Sequence, residues 1–467
     1  MPADSPQPSY EQLLALNAEL AARLEQALAR IAELEARLGL SSKNSSKPPS
    51  SDGLVKPAPR SLRSKTGRGP GRPAGQPGST LQQVADPDVV VRHVPDACGG
   101  CGDGLASAVE VAVTRRQVFE VPDPKIVVTE HQIVTVACGC GHHTTAAAPA
   151  GATAPVAYGP RIAAIGVYLL HGQFLSVGRT AAALNDLFGT PVTPGAVAGW
   201  VKRTALGIID RVLPVIRGRI TAAPVVHFDE TGMRVQGRLA WLHSASTSTD
   251  VLLAVHRRRG RHAMDDIAVL PGFTGIAVHD AWAPYDTYPD AVHALCNAHV
   301  LRELVYVTDT ATGPVADLAA QAIDALRHLN RLTTARATGE APDDADLDHH
   351  LHLLRSAVVL GANATAARTG KLQAKHHALF VRLRDRRDDY LRSVTDPRVP
   401  FDNNAAEQTI RMPKLRTKVS GCMRTLTGAE HFAAIRSYTA TAVRHGINTL
   451  DALIHAATGN PWIPTTA

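Results

Sequence analysis

Apolar residues recur with a helical period over residues 10–40, in the stretch YEQLLALNAELAARLEQALARIAELEARLGL. In heptad terms the d positions are Leu13, Leu20, Ala27 and Leu34, and the a positions are Asn17, Leu24, Ile31 and Leu38. This stripe predicts a coiled coil over residues 1–40, and Asn17 at an a position favours parallel register. The alternative is a single amphipathic helix that packs on its own protein. The Ser- and Pro-rich segment that follows separates the helix from any core, so we expect a homo-oligomer instead.

The helical pattern is lost in residues 41–80, where eight Lys and Arg residues stand against one Asp among many Ser, Pro and Gly. No apolar core can form from this composition, which predicts a disordered basic linker over residues 41–85. Within it, Arg68 and Arg72 in RGPGRPAG resemble arms that insert Arg into the minor groove of DNA. A solvated linker that attracts phosphates only by its charge fits the same residues.

Two runs of alternating β-branched residues, VEVAVTRRQVFEV at 109–121 and KIVVTEHQIVTVA at 125–137, predict a β-hairpin. Cysteine pairs flank this hairpin as CGGC and CGC, and they are Cys98, Cys101, Cys138 and Cys140. Four thiolates brought together by a hairpin are typical of a zinc ribbon, so we predict structural Zn²⁺ in residues 86–146. The CGC half departs from the usual spacing, which leaves His142 or His143 as an alternative ligand. Four reduced thiols without metal are the other interpretation.

Residues 158–221 have the pattern of a helical domain. One helix runs through Leu187, Gly189 supplies a turn, and Pro194 begins a second helix that carries Lys202 and Arg203. This is the outline of a helix-turn-helix, so we expect Lys202 and Arg203 to contact DNA. The same outline is common in proteins that bind no DNA.

Three apolar runs follow from residue 223, namely APVVHFD, RLAWLHSAS and DVLLAVH, and the segments MRVQG and TSTD between them suit hairpin turns. A short helix from about His262 to Leu270 and a fourth strand in GFTGIAVHDAW come next. Three strands, a helix and a strand open a ribonuclease H-like fold, in which the first and fourth strands are neighbours. We therefore expect an α/β core whose first part, residues 222–297, holds Asp229 and Asp280 side by side.

Two neighbouring carboxylates repel each other unless a cation lies between them, and hard oxygen ligands favour Mg²⁺ or Mn²⁺. Glu230 is not expected in this site, because adjacent strand residues point to opposite faces. The third candidate is Glu407, in the first turns of a helix that begins after DNN in FDNNAAEQTIR. Polar residues around this helix would hold a phosphate backbone, and they are Asn403, Asn404, Arg411, Lys414, Arg416 and Lys418. A surface ion pair between Glu407 and Arg411 is the alternative.

Between the second aspartate and this helix, residues 298–395 are rich in Leu, Ala and Arg and predict a helical insertion. The catalytic helix would occupy residues 396–445, and residues 446–467 would form a C-terminal tail. Cys296 and His299 lie near the start of the insertion. We interpret them as a buried thiol and a hydrogen-bonded imidazole, because two ligands alone do not close a metal site.

The net charge of +7 suits a polyanionic partner such as DNA. The chain has no run of about 18 apolar residues, and its N-terminus lacks the apolar region of a signal peptide, so we expect no membrane partner. The six cysteines are not spaced like a secreted disulfide framework, which favours a cytoplasmic location.

Several of these segments together resemble a known family. HFDET, HDAWAPY and FDNNAAEQTIR with KVSG, preceded by SSKNSSKPPSSDG, GQPG and the cysteine ribbon, are similar to the transposases of the IS66 family of bacterial insertion sequences. The resemblance covers nearly the whole chain. It implies a multidomain DDE transposase in which Asp229, Asp280 and Glu407 are the catalytic residues and the Mg²⁺ ligands. It also implies cleavage of insertion-sequence ends, joining of their 3′-hydroxyls to target DNA by two-metal phosphoryl transfer, and small accessory proteins as partners.

Two other functions are compatible with the same fold. One is a domesticated or regulatory protein that binds DNA without catalysis, and the complete set of two aspartates and a glutamate disfavours it. The other is a ribonuclease H-like nuclease that cuts without joining. The coiled coil, the cysteine ribbon and the long insertion favour a transposase over that nuclease.

Overall fold

The computed structural model describes residues 9–40, 44, 81–124, 126–149, 151–152, 154–337 and 343–465. The chain divides into two compact units: the first comprises Met1–Arg60, Glu130–Asp186 and Thr190–Ala467, and the second comprises Ser61–Thr129 and Leu187–Gly189. Most of the predicted basic linker, including Arg68 and Arg72, lies outside the described residues. Within the described ranges, no helix combines the length and the apolar content that a membrane span requires.

The first helix, α1, spans Tyr10–Leu38. It begins at a capping box, in which Ser9 Oγ accepts a hydrogen bond from the amide of Gln12 and the Gln12 side chain accepts one from the amide of Ser9. All the residues assigned above to the a and d positions of the heptad stripe are exposed. The described part of the chain therefore leaves this stripe uncovered, which disfavours the docked amphipathic helix.

Hydrogen bonds link two separated segments of the second unit. The Val84 amide donates to the Gln117 side chain (2.8 Å), and the Gln117 and Arg115 side chains both donate to the Val84 carbonyl (2.9 Å). No strand forms over 109–134 where these residues are described, so the hairpin predicted from the two β-branched runs is wrong. Its side chains are exposed on both faces, Val111 to 95%, and a ribbon that buries so little apolar surface is not stable by itself.

Two short strands do form close to the second cysteine pair. They are β1 (Thr135–Ala137) and β2 (His143–Thr145), which pair antiparallel in the first unit. The turn between them contains Cys138 and Cys140, so this pair of strands presents the second cysteine pair at its tip.

Between β2 and the main sheet the described residues form four α-helices, and they are α2 (Pro160–Val167), α3 (Val177–Phe188), α4 (Pro194–Arg211) and α5 (Leu213–Thr221). A π-helical turn, Tyr168–Gly172, continues α2. The helix α4 begins where the sequence predicts, because Thr193 caps its first amides and Pro194 occupies its first turn. It packs against α2 and buries Trp200 and Ile208.

The main sheet has five strands in the order β5–β4–β3–β6–β7. They are β3 (Val225–Val235), β4 (Arg238–Ser246), β5 (Val251–His256), β6 (Ile276–His279) and β7 (Val292–Leu295). The first three pair antiparallel, whereas β3 with β6 and β6 with β7 pair parallel. The neighbouring placement of the first and fourth strands is as predicted, and β7 is a strand that the sequence analysis missed.

The β3–β4 hairpin closes through a two-residue turn, Gln236–Gly237, in which both residues have positive φ (55° and 73°). Such a turn matches the twist of the strands it joins. The strand β3 is therefore longer than the apolar run APVVHFD suggested, because it continues through MRV. After β5, the helix α6 (Arg261–Ile267) and a 3₁₀ turn at Leu270–Gly272 lead to β6.

The helix α14 (Leu426–Arg444) packs against the edge strand β5. Ser437 Oγ accepts a hydrogen bond from the Leu253 amide (2.8 Å), and Thr441 Oγ1 accepts one from the Val251 amide (3.0 Å). These hydroxyls satisfy amides that an edge strand otherwise leaves open. Phe432 of the same helix is fully buried in the core that covers this face of the sheet.

Helices also fill the segment between β7 and the helix α13 (Asn404–Ser420). They are α7 (Asn297–Thr310), α8 (Pro314–Ala337), α9 (Asp344–Ala364), α10 (Lys371–Asp385), α11 (Arg387–Tyr390) and α12 (Arg392–Thr395). Leu304, Leu326 and Phe380 lie at the centre of their own apolar core. The last helix, α15 (Thr449–Ala457), packs on α2, so the C-terminal segment is anchored to the helices that precede the sheet.

Candidate active site and zinc site

The register of the sheet brings Asp229 and Asp280 to the same level. In the parallel pair of β3 and β6, His227 lies opposite Val278. Two residues further along each strand are Asp229 and Asp280, and Asp280 follows directly after the last residue of β6. The pairing of β3 with β6 thus ends just before the two aspartates.

The helix α13 is tied to β3 at its N-terminal end by Asn403. The Asn403 side chain accepts a hydrogen bond from His227 Nδ1 (2.8 Å) and donates one to the Phe228 carbonyl (2.7 Å). Its amide donates to the buried thiol of Cys296 (3.2 Å). Asn403 therefore fixes the start of α13 beside Asp229. Its exposed fraction is 1%, so the prediction that Asn403 contacts DNA is wrong.

The chain after α13 is tied to the far end of the same strand. The Met423 amide donates to the Arg234 carbonyl (3.0 Å), and the Gln236 amide donates to the Met423 carbonyl (2.8 Å). Because both ends are held, α13 lies along β3, and Glu407 in its first turn faces the region of the two aspartates.

Electrostatics link the three predicted ligands. Burial raises the pKa of Asp229 to about 7, with further contributions from the negative charges of Glu230, Asp280 and, least, Glu407. A hydrogen bond from the Glu230 amide (2.8 Å) opposes this shift in the pKa. Asp229 is thus a carboxyl group in an environment of excess negative charge, where a cation would favour its ionised form.

Glu230 lies in a different environment from its neighbour Asp229. Its side chain is 1% exposed and ion-paired with Arg259, whose Nη2 lies 2.6 Å from Oε1. The Tyr285 hydroxyl donates to the other carboxylate oxygen (2.7 Å). Both carboxylate oxygens of Glu230 therefore have partners within the protein.

Glu407 is ion-paired with Arg302 of α7, at 3.4 Å between Nη2 and Oε1. The alternative ion pair with Arg411 is thus not the one that the structure contains. Among the described residues, Asp229, Asp280 and Glu407 do not bring their oxygens within 4.8 Å of one another as one group. The three carboxylates interact electrostatically but are spread more widely than the ligands of a single small ion.

Two groups of metal-ligating side chains do approach within 4.8 Å in the described part of the chain, and they are His256, His262 and Asp266, and His279, Asp286 and His293. In the first, both imidazoles lie against the Asp266 carboxylate (3.2 and 3.1 Å). In the second, Asp286 is paired with Arg386 (2.7 Å). Each group already has internal partners for its carboxylate, so neither requires an ion to explain it.

Cys296 is buried, and burial raises the pKa of its thiol to about 12. It stays protonated at neutral pH, so the expected structural thiol is found. The neighbouring His299 differs from the expectation, because its Nδ1 is buried and has no hydrogen-bond partner among the described atoms. Burial lowers the pKa of His299, and the charges of Asp280 and Glu407 oppose that shift. Its ring thus lies near the carboxylate site.

Most of the predicted DNA contacts lie on the surface. The exposed ones are Lys202, Arg203, Asn404, Arg411, Lys414 and Lys418. Arg416 differs, because it donates to the Gly421 carbonyl (3.0 Å) and its guanidinium lies 5.7 Å from the centre of the Phe432 ring. Arg416 closes the C-terminal turn of α13, and the structure gives no support to a DNA contact by this residue.

Each cysteine pair forms a turn that directs amides towards sulfur. Amides of Cys101 and Gly100 and the Cys101 thiol lower the pKa of Cys98 to about 7. The Cys140 amide and thiol likewise lower the pKa of Cys138. Hydrogen bonds to sulfur favour the thiolate, which is the form that binds Zn²⁺. Within its own turn, each pair thus has a cysteine whose thiolate form is favoured.

Two site residues escaped the sequence analysis, namely Arg259, which pairs with Glu230, and Arg302, which pairs with Glu407. Arg259 lies in the run HRRRGRH at 256–262. The density of positive charge in this run was a signal, but no sequence pattern indicated that one of its arginines contacts β3. Arg302 lies one helical turn beyond His299, on the same face of α7, so the helical period could have indicated it.

Comparisons with known families match three parts of the chain. Residues 155–431 match the family described as Transposase IS66 family, which spans the main sheet and all three carboxylates. Residues 95–141 match the zinc-finger binding domain of transposase IS66, and this range contains both cysteine pairs. Residues 2–82 match a Family of unknown function (DUF6444). No curated protein matches the chain.

Proposed function

The chain belongs to the IS66 transposase family, and from this premise we propose that it is a DDE transposase with Asp229, Asp280 and Glu407 as catalytic residues. The observation that carries the proposal is the register of β3 and β6, which extends from His227 and Val278 to the two aspartates. The strand order, with three antiparallel strands followed by two parallel ones, supports a ribonuclease H-like core.

The residues fit divalent metal ions of the hard type. All three donors are carboxylates, and the pKa of Asp229 is raised first by burial and then by the negative charges of neighbouring acids, which a cation would offset. When bound, Mg²⁺ or Mn²⁺ would activate the attacking oxygen and neutralise charge at the leaving oxygen. The wider spread of the three carboxylates is consistent with ligands shared between two ions.

The proposed reaction has two steps at the same site. First, water attacks a phosphodiester at the end of the element, and the bond to the 3′-oxygen breaks, which leaves a 3′-hydroxyl. Second, this hydroxyl attacks a phosphodiester of the target DNA and displaces another 3′-oxygen. Asp229, Asp280 and Glu407 hold the site in one arrangement through both steps, and no bond between protein and DNA is formed. Arg302, which is ion-paired with Glu407, would offset negative charge on the phosphate.

DNA would be held by exposed polar and basic residues outside the carboxylate site. We propose Lys202 and Arg203 on α4, Asn404, Arg411, Lys414 and Lys418 on and around α13, and Arg68 and Arg72 in the linker. Their positive charge supports contacts with phosphate oxygens. We also propose that small accessory proteins are partners of this chain. The location proposed is the cytoplasm, where the DNA of a bacterium is found.

A zinc-finger domain of the family is present at residues 95–141. We propose Cys98, Cys101, Cys138 and Cys140 as the ligands of one structural Zn²⁺, supported by the amide-rich environment of each cysteine pair. We also propose that α1 joins two copies of the chain through its exposed heptad stripe, so that two DNA ends meet in one assembly.

The test of the catalytic proposal is strand cleavage and joining on labelled DNA that carries the element's own end, with Mg²⁺. We expect the wild type to cut and join, and Glu407→Ala to bind the end without doing either. Glu430→Ala is the matched control, because Glu430 is an exposed glutamate on α14. Binding without reaction by the wild type, even with the neighbouring gene products, would favour the non-catalytic alternative. Cutting without joining would favour the nuclease.

A further inference from the structure

The loop that follows Asp280 has a conformation that needs support. The Asp280 carboxylate accepts a hydrogen bond from the Trp282 amide (3.1 Å), which sets the direction of the carboxylate. The residue between them, Ala281, has a φ of 62°, in the left-handed region that residues with a Cβ adopt at a cost. Backbone strain of this kind persists only where the surrounding structure holds it in place.

Arg259 supplies that support through the side chain of Trp282. Its guanidinium lies 3.8 Å from the centre of the Trp282 ring and 4.8 Å from the centre of the Trp241 ring on β4. A cation over an indole face is attracted by the ring, more strongly where water is partly excluded. The Trp282 side chain is therefore held against the sheet, and the amide that orients Asp280 is held with it.

The same loop is anchored a second time by Tyr285. Its ring stacks on His279, the residue before Asp280, at 4.4 Å between ring centres. Its hydroxyl donates to Glu230, the residue after Asp229, and Glu230 in turn pairs with Arg259. In this pair the Glu230 carboxylate is buried while Arg259 keeps a partly exposed side chain, and the desolvation of the carboxylate offsets part of the attraction. The arrangement is better explained by what it positions.

We propose that Arg259, held by Glu230 and packed on Trp282, is a positioning residue that fixes the Asp280 carboxylate opposite Asp229. This inference rests on the proposed metal site at those two aspartates. It gives the adjacent residues Asp229 and Glu230 separate tasks, because the first is a ligand and the second anchors the loop that carries the other ligand.

The test measures Mn²⁺ binding to the full-length protein by electron paramagnetic resonance, without DNA. We expect Arg259→Met, which keeps the apolar stem, to weaken Mn²⁺ binding roughly tenfold or more, as loss of groups that orient metal ligands does. Arg258→Met is the matched control, because Arg258 is exposed and its side chain forms no hydrogen bond or ion pair within the described ranges. Its Mn²⁺ affinity should equal that of the wild type. Asp280→Asn should lose the site.

The possible results separate the two proposals. Wild-type Mn²⁺ affinity in Arg259→Met, together with loss of binding in Asp280→Asn, would overturn the positioning role and leave the metal site intact. Undiminished binding in Asp280→Asn would contradict the metal site itself, and the positioning role with it. If Arg259→Met does not fold, Tyr285→Phe replaces it, since it removes only the hydroxyl that holds Glu230. Binding several-fold weaker than wild type is expected there, and unchanged binding would overturn the proposal.

Discussion

At the scale of single residues, the adjacent carboxyl groups of Asp229 and Glu230 differ in the partners that surround them. Burial is the main reason that the pKa of each is raised. Glu230 accepts bonds from Arg259 and Tyr285, which stabilise its charge. Asp229 has one backbone amide and otherwise faces other acids. The sequence alone indicated which of the two faces the site, through strand alternation, but not what the other one does.

The raised pKa of Asp229 predicts a pH-dependent stability. A group whose folded pKa lies above its ordinary value of 3.8 contributes stability below that value and loses it as pH rises to about 7. Buried histidines such as His171 and His243, whose pKa values are lowered, give the opposite slope in the same range, so the contribution of Asp229 is the difference between the wild type and Asp229→Asn. Between about pH 4 and pH 7 the metal-free wild type should lose stability relative to Asp229→Asn, and at pH 8 the variant should melt a few degrees higher. Thermal denaturation followed by circular dichroism measures both.

The same melting experiment is repeated with Mg²⁺ added. Mg²⁺ should raise the melting temperature of the wild type at pH 8, because it binds the ionised carboxylate in the folded state, and it should have no such effect on Asp229→Asn. Asp210→Asn, at an exposed position on α4, is the control and should behave like the wild type. If the wild type and Asp229→Asn show the same dependence of melting temperature on pH, Asp229 does not have the raised pKa.

At the scale of elements, local patterns predicted the helix that carries Glu407 but not what holds it. The polar DNN before an apolar repeat marks the start of α13. The bonds from Asn403 to β3 join residues 176 and 175 apart in the sequence, which no local pattern reports. The missed strand β7 has only four residues, too few for a periodic signal. The false hairpin had partly alternating runs of β-branched residues but no partner surface on which to bury one face.

The two cysteine turns predict a zinc content that can be counted. We expect about one Zn²⁺ per chain by elemental analysis, and a lower value for Cys98→Ser and for Cys140→Ser. Binding should weaken below about pH 6, because protons compete for the Cys98 thiolate, whose pKa is about 7. Chelation should expose four reactive thiols beyond those of the native protein.

Controls for that count come from the same chain. Cys422→Ser removes an exposed cysteine outside the matched zinc-finger range and should leave the zinc content unchanged. His142→Ala and His143→Ala test the alternative ligands left open by the CGC spacing. Loss of zinc in either histidine variant, with zinc retained in Cys140→Ser, would assign the fourth ligand to histidine.

At the scale of the whole molecule, α1 is a long helix whose apolar stripe the described part of the chain does not cover. Its contact with α10 includes an ion pair between Glu33 and Lys371 (3.7 Å), so the stripe itself stays available. An exposed row of leucines at heptad spacing is costly in water unless a second helix covers it. A second copy of the same chain is the occupant that the self-complementary repeat favours, with Asn17 of each copy meeting in parallel register.

This predicts a dimer that a single charge in the stripe disrupts. In multi-angle light scattering, the wild type should have at least twice the mass of one chain. Leu24→Glu, at an a position, should lower the mass to that of one chain at micromolar concentration, because two buried carboxylates would face each other. Ala22→Glu adds the same charge at an exposed f position and should remain dimeric. If both Leu24→Glu and a variant that lacks residues 1–40 keep the wild-type mass, the chain associates through another surface. That result would contradict the proposal that α1 pairs the DNA ends.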